Sequence, residues 1–162
     1  MIRVRRAGDM DARAMADLLN DIIRAGGTTA LTEDVSSETI KDWLNELPDQ
    51  SVWHVAEDDD GTIYGFQYIR PSTDLSPEAC AIATFVRIGQ TGLGVGSRLF
   101  EKTAHAARDL GYEWIDATIR ADNESGLTYY QSRGFEDYAR HPRVTLGNGL
   151  IVDKISKRYD LS

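Results

Sequence analysis

Apolar positions recur along this chain with two periods, and the switches between them predict alternating strands and helices. Ile2 to Arg6 alternates apolar and charged residues as a half-buried strand does. Gly8-Asp9 predicts a turn and an N-cap for a helix through Ile23. Its Met15, Leu18, Leu19, Ile22 and Ile23 share one face, and Gly26-Gly27 stops it. Thr28 to Val35 reads as loop. Ser36 or Ser37 caps a second helix with Ile40, Trp43, Leu44 and Leu47 on one face, ended by Pro48. Ser51 to Glu57 and Thr62 to Arg70 read as a hairpin around Asp58-Asp59-Asp60-Gly61, so the acidic run is a turn rather than a metal site. Ala79 to Ile88 reads as a buried strand, Val95 to Leu110 as a helix closed by Gly111, and Trp114 to Arg120 as a strand. Glu124 to Ser132 is a short helix, followed by two strands around Leu146-Gly147-Asn148-Gly149.

This order predicts one mixed α/β domain over residues 1–162, long enough for a real core and too short for two ordinary domains. A formal charge of −8 would repel a phosphate backbone or an anionic membrane, so neither nucleic acid nor membrane is expected as a partner. It suits a cationic amine but does not identify one. The first residues lack the apolar stretch of a signal peptide and no window approaches a membrane span, so a cytoplasmic location is expected. Cys80 is the only cysteine, which excludes an internal disulfide and a cysteine zinc cluster, and no metal is expected. As a lone cysteine in an apolar strand it reads as core, not as a nucleophile. Strand edges near the C-terminus allow a homodimer.

The chemistry begins at Gly92-Leu93-Gly94-Val95-Gly96-Ser97, a glycine turn between a strand and a helix. Such a turn gathers backbone N–H groups and the positive end of the helix dipole at one point, which suits phosphate oxygens. The glycines allow close approach, and Ser97 adds a hydroxyl. A nucleotide P-loop is excluded because no lysine follows the last glycine. A dinucleotide site would use Asp116 on the next strand for a ribose, but the turn comes too late in the chain for that fold.

Thr91-Gly92-Leu93-Gly94-Val95-Gly96, with Val86 before it, resembles the cofactor turn of the GNAT superfamily of N-acetyltransferases. Asn123-Glu124-Ser125-Gly126-Leu127-Thr128-Tyr129-Tyr130-Gln131-Ser132-Arg133-Gly134-Phe135 is similar to that family's later Asn … Tyr-x-x-x-Gly-Phe run. The resemblance implies a central, mostly antiparallel sheet of about seven strands with helices on both faces. It implies acetyl-CoA as cosubstrate and direct attack by a primary amine of a small molecule. Val86, Thr91, Gly92, Leu93, Gly94, Val95, Gly96, Ser97 and Asn123 would hold acetyl-CoA, its carbonyl lying in a gap between the strand ending near Val86 and the strand Trp114–Arg120. Thr28-Thr29-Ala30, Trp43, Val55-Ala56-Glu57 and Gly65-Phe66 are similar to the phosphinothricin and methionine-sulfoximine branch, which implies an amino-acid-like acceptor.

By the same resemblance Tyr130 is the acid that protonates the departing thiolate, a task suited to a phenol of pKa ~10. Tyr129 is its neighbour, and helical spacing lets only one of the two face the cofactor. Asn123 also reads as the cap of the short helix. The chain departs from the family pattern at Thr91, where a long polar side chain is usual, and at Cys80-Ala81-Ile82-Ala83-Thr84, where many relatives place an acid. The base that deprotonates the amine is therefore open among Glu78, Asp74, Glu33, His54 and an ordered water. A non-catalytic acyl-CoA-binding regulator and a dinucleotide binder are the alternatives.

Overall fold

The computed structural model describes residues 1–90 and 93–162. The strands are β1 (Arg3–Arg6), β2 (Val52–Glu57), β3 (Ile63–Arg70), β4 (Ala79–Val86), β5 (Trp114–Arg120), β6 (Glu136–Thr145) and β7 (Ile151–Asp160). The α-helices are α1 (Ala12–Ala25), α2 (Ser37–Asn45), α3 (Val95–Asp109) and α4 (Glu124–Ser132). The strands form one seven-stranded sheet in the order β1-β2-β3-β4-β5-β7-β6, antiparallel except between β4 and β5. The expected mixed architecture is thus observed.

Strand alternation sends successive side chains to opposite faces. Trp53, Val55 and Phe66 meet Met15, Leu18, Leu19 and Ile22 of α1 on one face. Cys80, Ile82, Ile115, Ala117 and Ile119 meet Phe100, Ala104 and Ala107 of α3 on the other, where Tyr130 and Phe135 also pack. Met15, Leu19, Phe66, Leu99 and Ile115 are fully enclosed, each side chain contributing about 1.5–3 kcal/mol by leaving water. Cys80 belongs to this core, and burial pushes its thiol up to about 12.

Local chemistry sets the boundaries. Ser36 caps α2 by accepting from the Thr39 N–H at 3.0 Å. Asp58 makes the β2–β3 turn by accepting from the N–H groups of Asp60 and Thr62 at 2.9 and 3.0 Å. Three expectations need correction. The chain enters α1 through a 3-10 turn at Asp9–Asp11, where Asp11 rather than Asp9 does the local bonding, accepting from the Gly8 N–H at 2.8 Å. Leu47 does not extend the α2 face: proline disfavours helical backbone in the residue before it, the helix ends at Asn45, and Leu47 takes a φ of 51° and is exposed. Finally, β4 stops at Val86 and is only half-buried beyond Ile82.

That last difference has a geometric cause. β4 pairs with β5 only from Ala79 to Ala81, opposite Trp114 to Asp116, after which the two strands part. From Ala117 onward β5 bonds only to β7 among the described residues. The sheet therefore opens between Ile82–Val86 and Ala117–Arg120, as expected for the carbonyl gap.

Candidate active site

The opening is a cavity of about 950 Å³ that passes between the two faces of the sheet. On the α3 side it is lined by Thr84, Val86, Gly96, Tyr129 and Tyr130, and on the α1–α2 side by Trp43, Tyr68, Arg70, Thr118, Arg120 and Lys154. Register fixes this division: Thr118 stands opposite Ser156 and Arg120 opposite Lys154, on the face away from Ile115, Ala117 and Ile119.

The α3 side carries a hydroxyl cluster. Gln67, fully buried on β3 opposite Thr84, donates from Nε2 to Thr84 Oγ1 at 2.8 Å and to the Tyr129 hydroxyl at 3.0 Å. Thr84 Oγ1 lies 2.7 Å from the Tyr130 hydroxyl, and Tyr129 donates to the Gly96 carbonyl at 2.7 Å. Tyr129 and Tyr130 therefore both line the cavity, against the expectation that only one could face it. Their rings meet edge to face at 4.9 Å, and the cavity runs along α4 from Asn123 at its start to both tyrosines in its last turn. Burial raises both phenols, Tyr129 to about 12 and Tyr130 further, so both stay protonated at neutral pH.

The expected cofactor residues separate by role. Thr91 and Gly92 lie outside the described residues. Gly94 takes the left-handed φ of 69° that starts α3, and among the described residues no side chain caps that helix, whose first-turn N–H groups have no intrahelical partners. Val95 turns inward to pack with Ile2 and Leu99, and Leu93 is exposed. Gly96 is needed for a reason the sequence did not reveal: a Cβ there would lie 2.6 Å from the Tyr129 ring. Ser97 Oγ receives a hydrogen bond from Arg133 at 2.6 Å, which sets a guanidinium beside the start of α3. Asn123 caps α4 by accepting from the Gly126 N–H at 3.0 Å and donates to the Thr28 carbonyl at 3.0 Å, tying the loop after α1 to the cavity wall. A helix N-terminus, a glycine turn and a roomy cavity leading to two phenols fit acetyl-CoA.

None of the four side chains weighed as base lines the cavity. Glu33, Asp74 and Glu78 are exposed in loops, and His54 is buried in β2 beneath α3, where burial, Arg6 and Lys102 lower its pKa to about 4. Asp116, which a dinucleotide would need for its ribose, points to the opposite face from the α3 turn. Among the described residues, no Asp, Glu or His lines the cavity and none form a metal-ligating cluster. No helix among them is long and apolar enough to cross a membrane.

Cations instead mark the α1–α2 side. Arg120 is committed to Asp122, at 2.7 Å, and to the Thr29 carbonyl, and Arg70 reaches Glu46 at 3.3 Å. Lys154 is half-buried at the wall. The sequence offered little to find this set, because its members come from three separate strands and only the sheet brings them to one wall.

Comparison with known proteins gives a consistent picture. Residues 14–135 match the model of the Acetyltransferase (GNAT) family. YwnH of Bacillus subtilis (strain 168), a candidate phosphinothricin acetyltransferase, is 28% identical over 98% of this chain and 94% of its own length. The phosphinothricin N-acetyltransferase of Streptomyces viridochromogenes is 24% identical over 83% of this chain and 74% of its own. The structure of YncA from Salmonella typhimurium, solved with its cofactor acetyl-CoA, superposes with a TM-score of 0.88 at 20% identity, covering 99% of this chain and 94% of YncA.

Proposed function

The chain belongs to the GNAT acetyltransferase family and uses acetyl-CoA, and on that premise we propose that it acetylates the primary amine of a small amino-acid-like molecule in the cytoplasm. The observation that carries the acceptor class is Lys154 on the cavity's α1–α2 side, which stands beside Arg70 and Arg120, themselves shared with Glu46 and Asp122, and without a lining acid among the described residues. A wall of that sign favours an acceptor that carries a carboxylate or similar anion beside its amine. The phosphinothricin-acetylating names of two relatives agree with this choice. Acetyl-CoA, when bound, supplies an activated acyl group on a thiol leaving group.

The chain's own residues then have assignable tasks. The start of α3, with Leu93 to Ser97, offers backbone N–H groups to the diphosphate. Val86 and Asn123 border its path. Tyr130 is the proposed acid. Gln67 donates to Thr84, so Thr84 is free to donate to Tyr130, which leaves the phenol proton for the thiolate. Lys154 and Arg70 orient the acceptor's anionic group.

The test is thiol release from acetyl-CoA in the presence of paired primary amines that differ only in a carboxylate. Faster release with the carboxylate-bearing member of each pair is expected. Equal rates across the pairs would overturn the acceptor class, and cofactor binding without release for any amine would overturn amine acetylation itself.

A further inference from the structure

The reaction needs a base for the incoming ammonium, and no acid or histidine lines the cavity among the described residues. One lining residue leads to a buried acid. Thr118 donates from Oγ1 to Asp116 Oδ2 at 2.9 Å, and lies 2.8 Å from Ser156 Oγ, which is itself 2.8 Å from His141 Nε2. Each hydroxyl has one proton, so the bonds run in one sense, from His141 through Ser156 and Thr118 to Asp116. The Tyr138 hydroxyl donates to the other Asp116 oxygen. Asp116 is only 5% exposed, yet its neighbouring arginines are engaged elsewhere, Arg120 with Asp122 and Arg158 with Asp160. A buried carboxylate held by hydroxyls rather than by a guanidinium retains an affinity for protons.

We propose that Thr118 and Asp116 form the proton-accepting path for the acceptor amine, with Thr118 at the cavity wall and Asp116 acting through it. The inference rests on amine acetylation as proposed above. The ammonium passes a proton to Thr118 Oγ1 while the Thr118 hydroxyl proton moves to Asp116 Oδ2. One N–H bond breaks, one O–H bond forms on Asp116, and Thr118 ends as the hydroxyl it was. The nitrogen keeps the electron pair with which it attacks, and ammonium plus carboxylate become amine plus carboxylic acid. The proton leaves by the reverse path after the product departs.

Burial raises the pKa of Asp116, against the bonds from Tyr138 and Thr118 and the charge of His141, while Asp74 in the loop before β4 adds to the rise. The other ionisable groups on this face are Arg120 on the same strand and Lys154 and Arg158 of β7, while Cys80 of β4 lies across the sheet on the α3 face.

The experiment measures kcat/KM by thiol release from about pH 5.5 to 9.5, using every amine that the wild-type protein acetylates. Thr118→Val and Asp116→Asn are expected to lose on the order of 10²-fold at neutral pH, while Thr118→Ser keeps the hydroxyl and stays within about threefold of wild type. In Asp116→Asn only amine already neutral can react, so the rate should climb roughly tenfold per pH unit through the neutral range, where the wild-type profile is flat. Thr118→Val as active as Thr118→Ser, or a wild-type slope in Asp116→Asn, overturns the path. Should Asp116→Asn fail to fold, the Val and Ser pair alone decides. Wild-type preference for amines without a carboxylate would overturn the acceptor class alone, since the variant comparison is read on whichever amines react. Absence of release with all amines would overturn amine acetylation and the path together.

Discussion

Tyr129 donates its phenol proton to the carbonyl of Gly96 at 2.7 Å while its ring fills the space that a side chain at residue 96 would need. The glycine turn and α4 are thereby locked together at the cavity. Gly96→Ala would set a methyl group 2.6 Å from a ring carbon, and the ring can move only by breaking its bonds to Gly96 and Gln67. The variant should lose about 1–3 kcal/mol of stability through overpacking and most of its acetyl-CoA affinity. In a Tyr129→Ala background, itself destabilised by loss of the ring, the same Gly96→Ala change should cost nothing further, as read by denaturant unfolding of the single and double variants.

The two tyrosines should separate kinetically. Tyr130 touches Thr84 and the cavity, so Tyr130→Phe should lower kcat on the order of 10²-fold with acetyl-CoA affinity unchanged. Tyr129 bonds to the turn itself, so Tyr129→Phe should weaken acetyl-CoA binding and change kcat little. Calorimetric binding beside steady-state kinetics checks both, and the reversed pattern would make Tyr129 the acid.

Lys154 offers the clearest test of acceptor charge, since Arg120 is tied to Asp122 and Arg70 to Glu46. Lys154→Met keeps the length of the side chain and removes the charge. KM for a carboxylate-bearing amine should rise about tenfold, the scale of one charge-assisted contact. KM for acetyl-CoA should hold steady. An unchanged acceptor KM would remove Lys154 from the site.

What the sequence could convey follows from the range of the interactions. Period and capping are local, so Trp114–Arg120 and Glu124–Ser132 were legible to the residue, as was the Asp58 turn. Leu47 was misplaced because its apolar character fits a helical face while the following proline forbids the conformation. Thr84, Gln67 and Thr118 could not be found this way. Gln67 and Thr84 take their meaning from partners far along the chain, Tyr129 and Tyr130, and Thr118 from the opening of the sheet beside it, which no local pattern records. The parting of β4 and β5 is likewise a property of pairing, and only the resemblance anticipated it.

His54 was a candidate base in the sequence, and the structure assigns it a measurable role in stability instead. It is buried in β2 between Arg6 of β1 and Gln67 of β3, with Lys102 of α3 near it. Burial first, then those two cations, lower its pKa from 6.5 to about 4. In the unfolded chain it protonates at its ordinary value, so between those two pH values the unfolded state binds more protons than the folded state. Stability must then rise with pH across that window and fall on acidification, by on the order of 3 kcal/mol in total. Well above pH 6.5 the residue is neutral in both states and its contribution no longer changes with pH. His54→Leu removes the titrating group and also the buried Nδ1, which has no hydrogen-bond partner among the described residues. Its unfolding free energy should match wild type within about 1 kcal/mol at pH 7.5 and exceed it near pH 4.5. Acetyl transfer at neutral pH should be unchanged, because the residue does not line the cavity. Loss of turnover with stability intact would return His54 to the catalytic path, whereas parallel unfolding curves at both pH values would mean that the folded protein binds the proton as readily as the unfolded chain does.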